Sequence, residues 1–330
     1  MIITRTPYRI SFVGGGSDLP TFYQKQMGAV ISTTIDKFIY ISSHDIFDEG
    51  VIRLKYSKME QVSSPEEIQH PILREVLRQY RPNRSFEVNS IGDVPYGTGI
   101  GSSSSFTVGL LHNMLLRQGK MPSKKRLAEE ACEIEIGRLR EPIGKQDQYA
   151  AAYGGLNLIC FNPDETVTVE KIMISRSFRH QLEHSLVLIY TGVKRSASAI
   201  LDEHNKGLKS GGSHSIQAGV VDMVWEFRDA LANENLHKMA DVVDRSWQAK
   251  KSLASGISNP ELEAIYDKAR SNGAMGGKLL GAGGGGFFVF MLEPEKKASF
   301  LEGMKDYRHM KIKFDAQGST AIFTEENGND

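Results

Sequence analysis

The stretch PYGTGIGSSSSFTVGLLHNM, residues 95–114, sets three glycines at alternate positions directly before four serines and an apolar run of helical spacing. Few folds accommodate so much bare backbone at a helix start. The glycines Gly97, Gly99 and Gly101 let the loop curl with its N–H groups inward. The helix, expected to begin near Ser104 or Ser105, adds free N–H groups and the positive end of its dipole. Such a loop binds phosphate, with one serine hydroxyl capping the helix and another able to ligate a magnesium ion. A tight strand-to-helix turn with a serine cap and no ligand is the plain alternative.

The rest of the chain bounds what such a loop can serve. With 330 residues, 40% of them hydrophobic, it can bury one large or two medium cores. Lysine plus arginine number 40 and aspartate plus glutamate number 40, so nothing global favours nucleic acid or an anionic membrane, and any anion site must be local. The start, MIITRTPYRISFVGGG, lacks a signal-peptide core, and no segment approaches the roughly 20 apolar residues of a membrane span. The chain therefore reads as cytoplasmic. Cys132 and Cys160 have no cysteine or histidine at metal-ligand spacing and read as reduced, structural residues.

Alternating, β-branched GAVISTTIDKFIYISSHD and SFEVNSIGDV predict strands, and residues 106–117 and 123–140 predict helices. EHSLVLIYTG is strand-like, residues 213–255 are helical, and NPELEAIYDKARSNG is a helix capped by Asn259, with Pro260 in its first turn and Gly273 past its end. The strand GFFVFML follows GAGGGG. Strands and helices mix without a regular βαβ repeat, which predicts an α+β fold. A boundary near residue 170 divides the chain into 1–170 and 171–330, with NPDETVTVEK as the polar surface segment.

No stretch supplies the G-x4-G-K-[ST] of a Walker A loop. Gly281 to Gly286 satisfy G-x-G-x-x-G, but a strand follows where a dinucleotide fingerprint requires a helix. The H-R-D and D-F-G motifs of protein kinases are missing. In SKKRLAEEACEIEIGRLR, counting about 100° per residue from Leu127, the apolar side chains span an arc from about 340° to about 140°. Glu135, at about 80°, falls inside that arc, while Glu133, at about 240°, faces water. A buried carboxylate needs a positive partner, and either a magnesium ion or an arginine would serve. Asp147, in EPIGKQDQYAAAYGG, is either a helix cap or a catalytic group; Lys145, two residues away, is placed to lower its pKa and to stabilise charge on a transferring phosphoryl group.

PYRISFVGGGSDLP, PYGTGIGSSSS, EIEIGRLREPIGKQDQY and KLLGAGGGGFFVF, in that order and at these separations, resemble the GHMP small-molecule kinase superfamily. Within it, RTPYRISFVGGGSDLP, GKQDQYAAAYGGLN and GAGGGGFF look most like the bacterial D-glycero-D-manno-heptose 7-phosphate kinases, with galactokinase and fucokinase more distant. The resemblance implies two domains, an N-terminal one like ribosomal protein S5 and a ferredoxin-like C-terminal one, with the active site between them. It implies ATP and Mg2+, and transfer of a phosphoryl group to the anomeric hydroxyl of a heptose 7-phosphate. Pro95 to Ser105 match the phosphate-binding loop, with Pro95, Gly97, Gly99, Gly101, Ser102, Ser103 and Ser104 at the phosphates. Ser103 and Glu135 match the magnesium ligands, and Asp147 matches the general base or sugar-hydroxyl anchor. Gly281, Gly283, Gly284 and Gly285 match the third phosphate-lining motif. Arg9 matches an arginine that stabilises transferred charge, and Gly15, Gly16, Ser17 and Asp18 match the sugar-binding stretch. GGGSD stands where galactokinases have GEH before the acidic residue, which argues against galactose. A phosphorylated acceptor needs a cationic contact away from the reacting end, and Arg195 in YTGVKRSAS is the candidate. An unphosphorylated sugar such as fucose or galactose is the alternative acceptor, and a nucleotide-binding regulator without catalysis is the alternative of another class.

Overall fold

The β-branched alternation near the start of the chain builds two long strands, β1 (Ile2–Val13) and β2 (Gly28–Asp45). The computed structural model describes residues 1–80, 84–193 and 197–325; Arg195, and Lys194 beside it, lie outside them. Around β1 and β2 assemble β3 (Ile52–Lys55), β4 (Met59–Val62), β5 (Phe86–Gly92), β6 (Leu156–Phe161) and β7 (Val167–Lys171). A second, four-stranded sheet holds β8 (Leu186–Tyr190), β9 (Gly276–Leu279), β10 (Phe287–Met291) and β11 (His309–Met310), in the order β11-β8-β10-β9. The chain then returns to the first sheet, where β12 (Phe314–Asp315) pairs with β2 and β13 (Thr320–Thr324) pairs with β1. The α+β expectation holds, and the two sheets are joined by this late return.

The helices are α1 (Pro20–Tyr23), α2 (Pro71–Tyr80), α3 (Ser102–Arg117), α4 (Lys124–Cys132), α5 (Gln146–Tyr153), α6 (Arg176–Ser185), α7 (Ala197–Ser210), α8 (His214–Ala232), α9 (Leu236–Lys251), α10 (Pro260–Ser271) and α11 (Lys297–Gly303). Among the described residues, none is long and apolar enough to cross a membrane. Three boundaries differ from the periodicity. The expected helix 123–140 continues past α4 as a π-helical segment, Glu133–Arg138, in which Leu139 N–H reaches Ile134 O. The stretch 213–255 breaks at Asn233–Asn235, where Asn235 caps α9 by accepting from Lys238 N–H. EHSLVLIYTG forms a strand only over Leu186–Tyr190, because Glu183 to Ser185 end α6. The helix α10 has the expected Asn259 cap, which accepts from Leu262 N–H, and Gly273 follows its end at φ +101°.

One hydrophobic core runs continuously from the first sheet to one face of the second, joining Phe12, Ile31, Leu110 and Phe227 to Leu188 and Val289. Phe12 and Phe227 stack at 5.2 Å and tie α8 to β1. A second cluster on the other face of the small sheet packs Trp247, Tyr266, Phe288, Phe290 and Phe300. The functional loops lie where the two sheets approach. There Phe287 N–H donates to Thr98 O at 3.2 Å, and Arg9 N–H donates to Ile100 O at 3.0 Å. The second bond is possible because the β1–β2 register shifts between Pro7 and Arg9, which frees that N–H from the ladder.

Candidate active site

The serine run begins the helix earlier than expected. Gly101 sits at the N-cap with φ +76°, a conformation an L side chain resists, and α3 starts at Ser102 with no side-chain cap. The N–H groups of Ser102, Ser103 and Ser104 thereby lie in the first turn without intrahelical acceptors. Freed from capping, the hydroxyls work elsewhere. Ser105 Oγ donates to Pro7 O at 2.9 Å, locking α3 to β1, and Ser103 Oγ donates to Glu135 Oε1 at 3.0 Å.

Glu135 is 1% exposed, as its position inside the apolar arc requires, and Glu133 faces solvent. The other Glu135 oxygen accepts from Gln148 Nε2 at 2.7 Å. Among the described residues no lysine or arginine pairs with it, so the arginine partner is not found. Burial pushes its carboxyl up to about 7, against the lowering effect of Ser104, Gln148, Ser103 and Thr107. A fully buried carboxylate met by neutral hydroxyls and an amide and by no cation is a hard-oxygen donor set with unmet charge, and it fits a divalent cation.

Asp147 meets a cation directly. Arg9 Nε donates to Asp147 Oδ1 at 2.7 Å and Arg9 Nη2 to Oδ2 at 2.6 Å, a bidentate pair. The remaining Arg9 nitrogen, Nη1, donates to Gly99 O at 2.7 Å. One guanidinium, 3% exposed, thus joins the acid to the phosphate loop. Asp147 retains 23% side-chain exposure. Lys145 does not take this role: its ammonium pairs with Glu165 and lies 4.6 Å over the Tyr23 ring.

The first glycine stretch is more structural than expected. Ser17 Oγ, fully buried, lies 2.8 Å from Gly14 O and 2.9 Å from Ala29 O, which compete for its single hydrogen, and accepts from Ala29 N–H, so the hydroxyl is engaged between the loop and the start of β2. Asp18 accepts from Gly16 N–H, Gln146 N–H and Gln146 Nε2, each at 3.1 Å. Burial raises its carboxyl above the ordinary range, opposed by the Gln146 N–H and reinforced by the Asp147 charge. Asp18 thereby fixes the first turn of α5, and with it Asp147. Gly15 and Gly16 face Gln146, His204 and Gln217 rather than the phosphate loop.

The third glycine motif packs backbone to backbone on the phosphate loop. A Cβ on Gly281 would lie 2.6 Å from Gly99 Cα. Gly284 N–H donates to Ile257 O, while Gly283 and Gly285 lie against Ile257 and Val193 and anchor the motif to its own half. Gly97 is open, and Pro95 turns the loop by accepting from Thr98 Oγ1.

Sequence reasoning missed several groups. Gln146 and Gln148 flank Asp147 in KQDQY, where alternating amides around an acid were an available signal. Lys278, 3% exposed, precedes the third motif in GGKLLGAGGGG. Lys250, at the end of α9, donates to Leu279 O and Gly281 O. His204 and Gln217, buried beside Gly16, come from α7 and α8, which carry no motif.

Comparison with known proteins matches residues 68–155 to the GHMP kinases N terminal domain and residues 227–307 to the GHMP kinases C terminal family. The chain is 32% identical to the D-glycero-alpha-D-manno-heptose 7-phosphate kinase of Campylobacter jejuni over 317 residues, 92% of this chain and 93% of that one. It is 24% identical to a galactokinase of Pyrococcus furiosus, covering 89% of this chain and 90% of the relative. Its fold matches the crystal structure of a D-glycero-D-manno-heptose 1-phosphate kinase from Bacteriodes thetaiotaomicron with a TM-score of 0.82 at 23% identity, over 99% of this chain and all of the other.

Proposed function

The chain belongs to the GHMP kinases, ATP-dependent phosphotransferases with an alcohol acceptor, and from that premise we propose that it phosphorylates the anomeric hydroxyl of D-glycero-D-manno-heptose 7-phosphate. The product is the 1,7-bisphosphate. The observation that carries the reading is the Arg9 guanidinium, which binds Asp147 with two nitrogens and the phosphate loop with a third. Acid and loop are thus held in one register before any ligand arrives. The reading of the acceptor draws on the 32% identity to the Campylobacter jejuni enzyme.

The free N–H groups of Ser102 to Ser104 and the dipole of α3 receive the nucleotide phosphates. Ser103 and Glu135 would hold Mg2+, which when bound neutralises charge between phosphates. Asp147 orients the attacking hydroxyl and accepts its proton, and Arg9 offsets charge on the transferred group. A loose transition state asks little covalent chemistry of the protein, so positioning supplies most of the rate. Gly15, Gly16 and Asp18 lie on the acceptor side, with Asp18 acting through α5. Arg195 is the proposed contact for the 7-phosphate.

The test is ADP release with ATP and magnesium across D-glycero-D-manno-heptose 7-phosphate, the unphosphorylated heptose, fucose, galactose, mannose, homoserine and mevalonate. Turnover of the heptose phosphate above all others is the expected result. Turnover of a free sugar alone sinks the phosphate acceptor and keeps the kinase; binding of ATP with turnover of none points to a regulator.

A further inference from the structure

Two buried cations, Arg9 and Lys278, and the part-buried Lys250 gather where the two glycine loops meet. Arg9 and Lys278 are each 3% exposed, and the Lys250 ammonium reaches inward to the carbonyls of Leu279 and Gly281. Among the described residues only one carboxylate, Asp147, pairs with any of them, and it is bound on both oxygens by Arg9. Lys250 meets neutral carbonyls and, at 6.0 Å, the Trp247 ring but no carboxylate, and Lys278 has no hydrogen-bond or ion-pair partner among the described residues. Burial, then the neighbouring positive charges, depresses both ammonium groups, Lys250 to about 7 and Lys278 well below the ordinary lysine range. An interior position that holds lysines and offers them no carboxylate is costly in the free protein.

The position of this surplus charge indicates what offsets it. Gly281, whose carbonyl Lys250 holds, lies against Gly99, whose carbonyl Arg9 holds. Arg9 and Lys250 therefore hold the two loops at one contact, and Lys278 directly precedes Leu279, whose carbonyl Lys250 also holds. We propose that Lys250 and Lys278 complete, with Arg9, a subsite for a phosphate dianion at the junction of the two glycine loops. The inference rests on the kinase reading above and adds two phosphate-binding residues to it. The dianion has two possible sources, the terminal phosphate of the nucleotide or the phosphate carried by the acceptor.

The test uses the full chain and its K278M and K250M variants, titrated calorimetrically with ADP, with the non-hydrolysable triphosphate AMP-PNP, and with D-glycero-D-manno-heptose 7-phosphate, magnesium present throughout. Losing one charged contact weakens the phosphate ligand at least about tenfold. If the nucleotide is the source, K278M erases the preference for AMP-PNP over ADP and leaves the sugar phosphate unaffected. If the acceptor is the source, K278M weakens the sugar phosphate and leaves AMP-PNP as in the parent. Binding of all three within threefold of the parent by both variants overturns the proposal. A parent that binds AMP-PNP but never the sugar phosphate defeats the acceptor assignment alone, and the subsite is then judged on the AMP-PNP arm. Without ligand, K278M is expected to melt no lower than the parent, since an uncompensated ammonium has been removed. K278M and K278Q both melting several degrees lower, or failing to fold, would show that the ammonium has a structural partner, and that also overturns the proposal.

Discussion

The two sides of the candidate site solve the problem of buried charge in opposite ways. On the side built from the first half of the chain, each acid has hydrogen-bond donors within the protein: Asp147 has Arg9, Asp18 has three N–H groups, and Glu135, which lacks a cation, has the Ser103 hydroxyl and the Gln148 amide. On the side built from the second half, Lys250 meets carbonyls and the Trp247 ring but no carboxylate, and the Lys278 ammonium has no hydrogen-bond or ion-pair partner among the described residues. The first side is arranged before ligands arrive, which is what positioning chemistry requires. The second carries unmet positive charge, which a phosphate would neutralise.

The contrast is broken most severely by replacing Asp147. D147N keeps the shape but loses the proton acceptor and leaves Arg9 with one strong partner fewer, so kcat should fall roughly 10²–10⁴-fold. Calorimetric titration should find AMP-PNP binding within a few-fold of the parent, because Asp147 donates nothing to the phosphate loop. A variant that turns over within tenfold of the parent would remove Asp147 from the chemistry.

Glu135 is next, and here two readouts move in opposite directions. E135Q should lose roughly 10²-fold in kcat/KM at fixed magnesium, with a raised magnesium requirement. Without metal the same variant should be the more stable protein at neutral pH and above. The sign follows from linkage: a carboxyl raised from 4.5 to about 7 binds its proton more tightly when folded. The parent holds that stability below pH 4.5 and loses it as the pH rises through about 7, a difference of roughly 3 kcal/mol at most. Denaturant unfolding across pH 4 to 8 checks it. Parallel profiles for parent and E135Q would show that burial does not strain this group.

How much of this was legible in the sequence follows the same division. Glu135 was readable because a helical period puts it on an apolar face, and the prediction survives although the helix widens to a π segment there. Asp147 and the glycine loops were readable because each sits in a local pattern. Lys250 and Lys278 were not, since a lysine at a helix end and one in a short strand look like ordinary surface residues until topology folds both inward. The Arg9–Asp147 pair spans 138 residues of sequence, and proximity alone favoured Lys145. Ser17 read as a ligand contact because motif membership does not reveal that Gly14 and Ala29 already engage its hydroxyl.

A milder intervention tests whether the two sides must touch. In G99A the new Cβ would lie 2.6 Å from Leu280 O, at a residue with φ +81°. Stability should fall by roughly 2–3 kcal/mol and KM for ATP should rise about tenfold. G97A shares the positive φ but meets nothing within 4 Å, so its cost should stay near 1 kcal/mol. Equal effects in thermal melts and ATP titrations would mean that backbone conformation, and not the loop contact, sets the site.

The smallest effect is expected at Lys145, the cation that sequence proximity assigned to Asp147. Its ammonium is engaged by Glu165 and by the Tyr23 ring. Burial alone would raise the Glu165 carboxyl, but hydrogen bonds from Gln24, Lys145 and Tyr23 bring it down to about 2. That stabilisation is present above pH 4.5 and lost as the pH falls toward 2, and because Glu165 is half exposed, solvent screening keeps it small. K145M should therefore cost roughly 1 kcal/mol near neutral pH, less in acid, and lower kcat by less than about threefold. Steady-state kinetics beside acid unfolding separates the two roles. A hundredfold drop in kcat with unchanged stability would bring the ammonium to the transferred phosphoryl group and place Lys145 with Arg9, so that the side arranged in advance would also carry a cation held for the reaction.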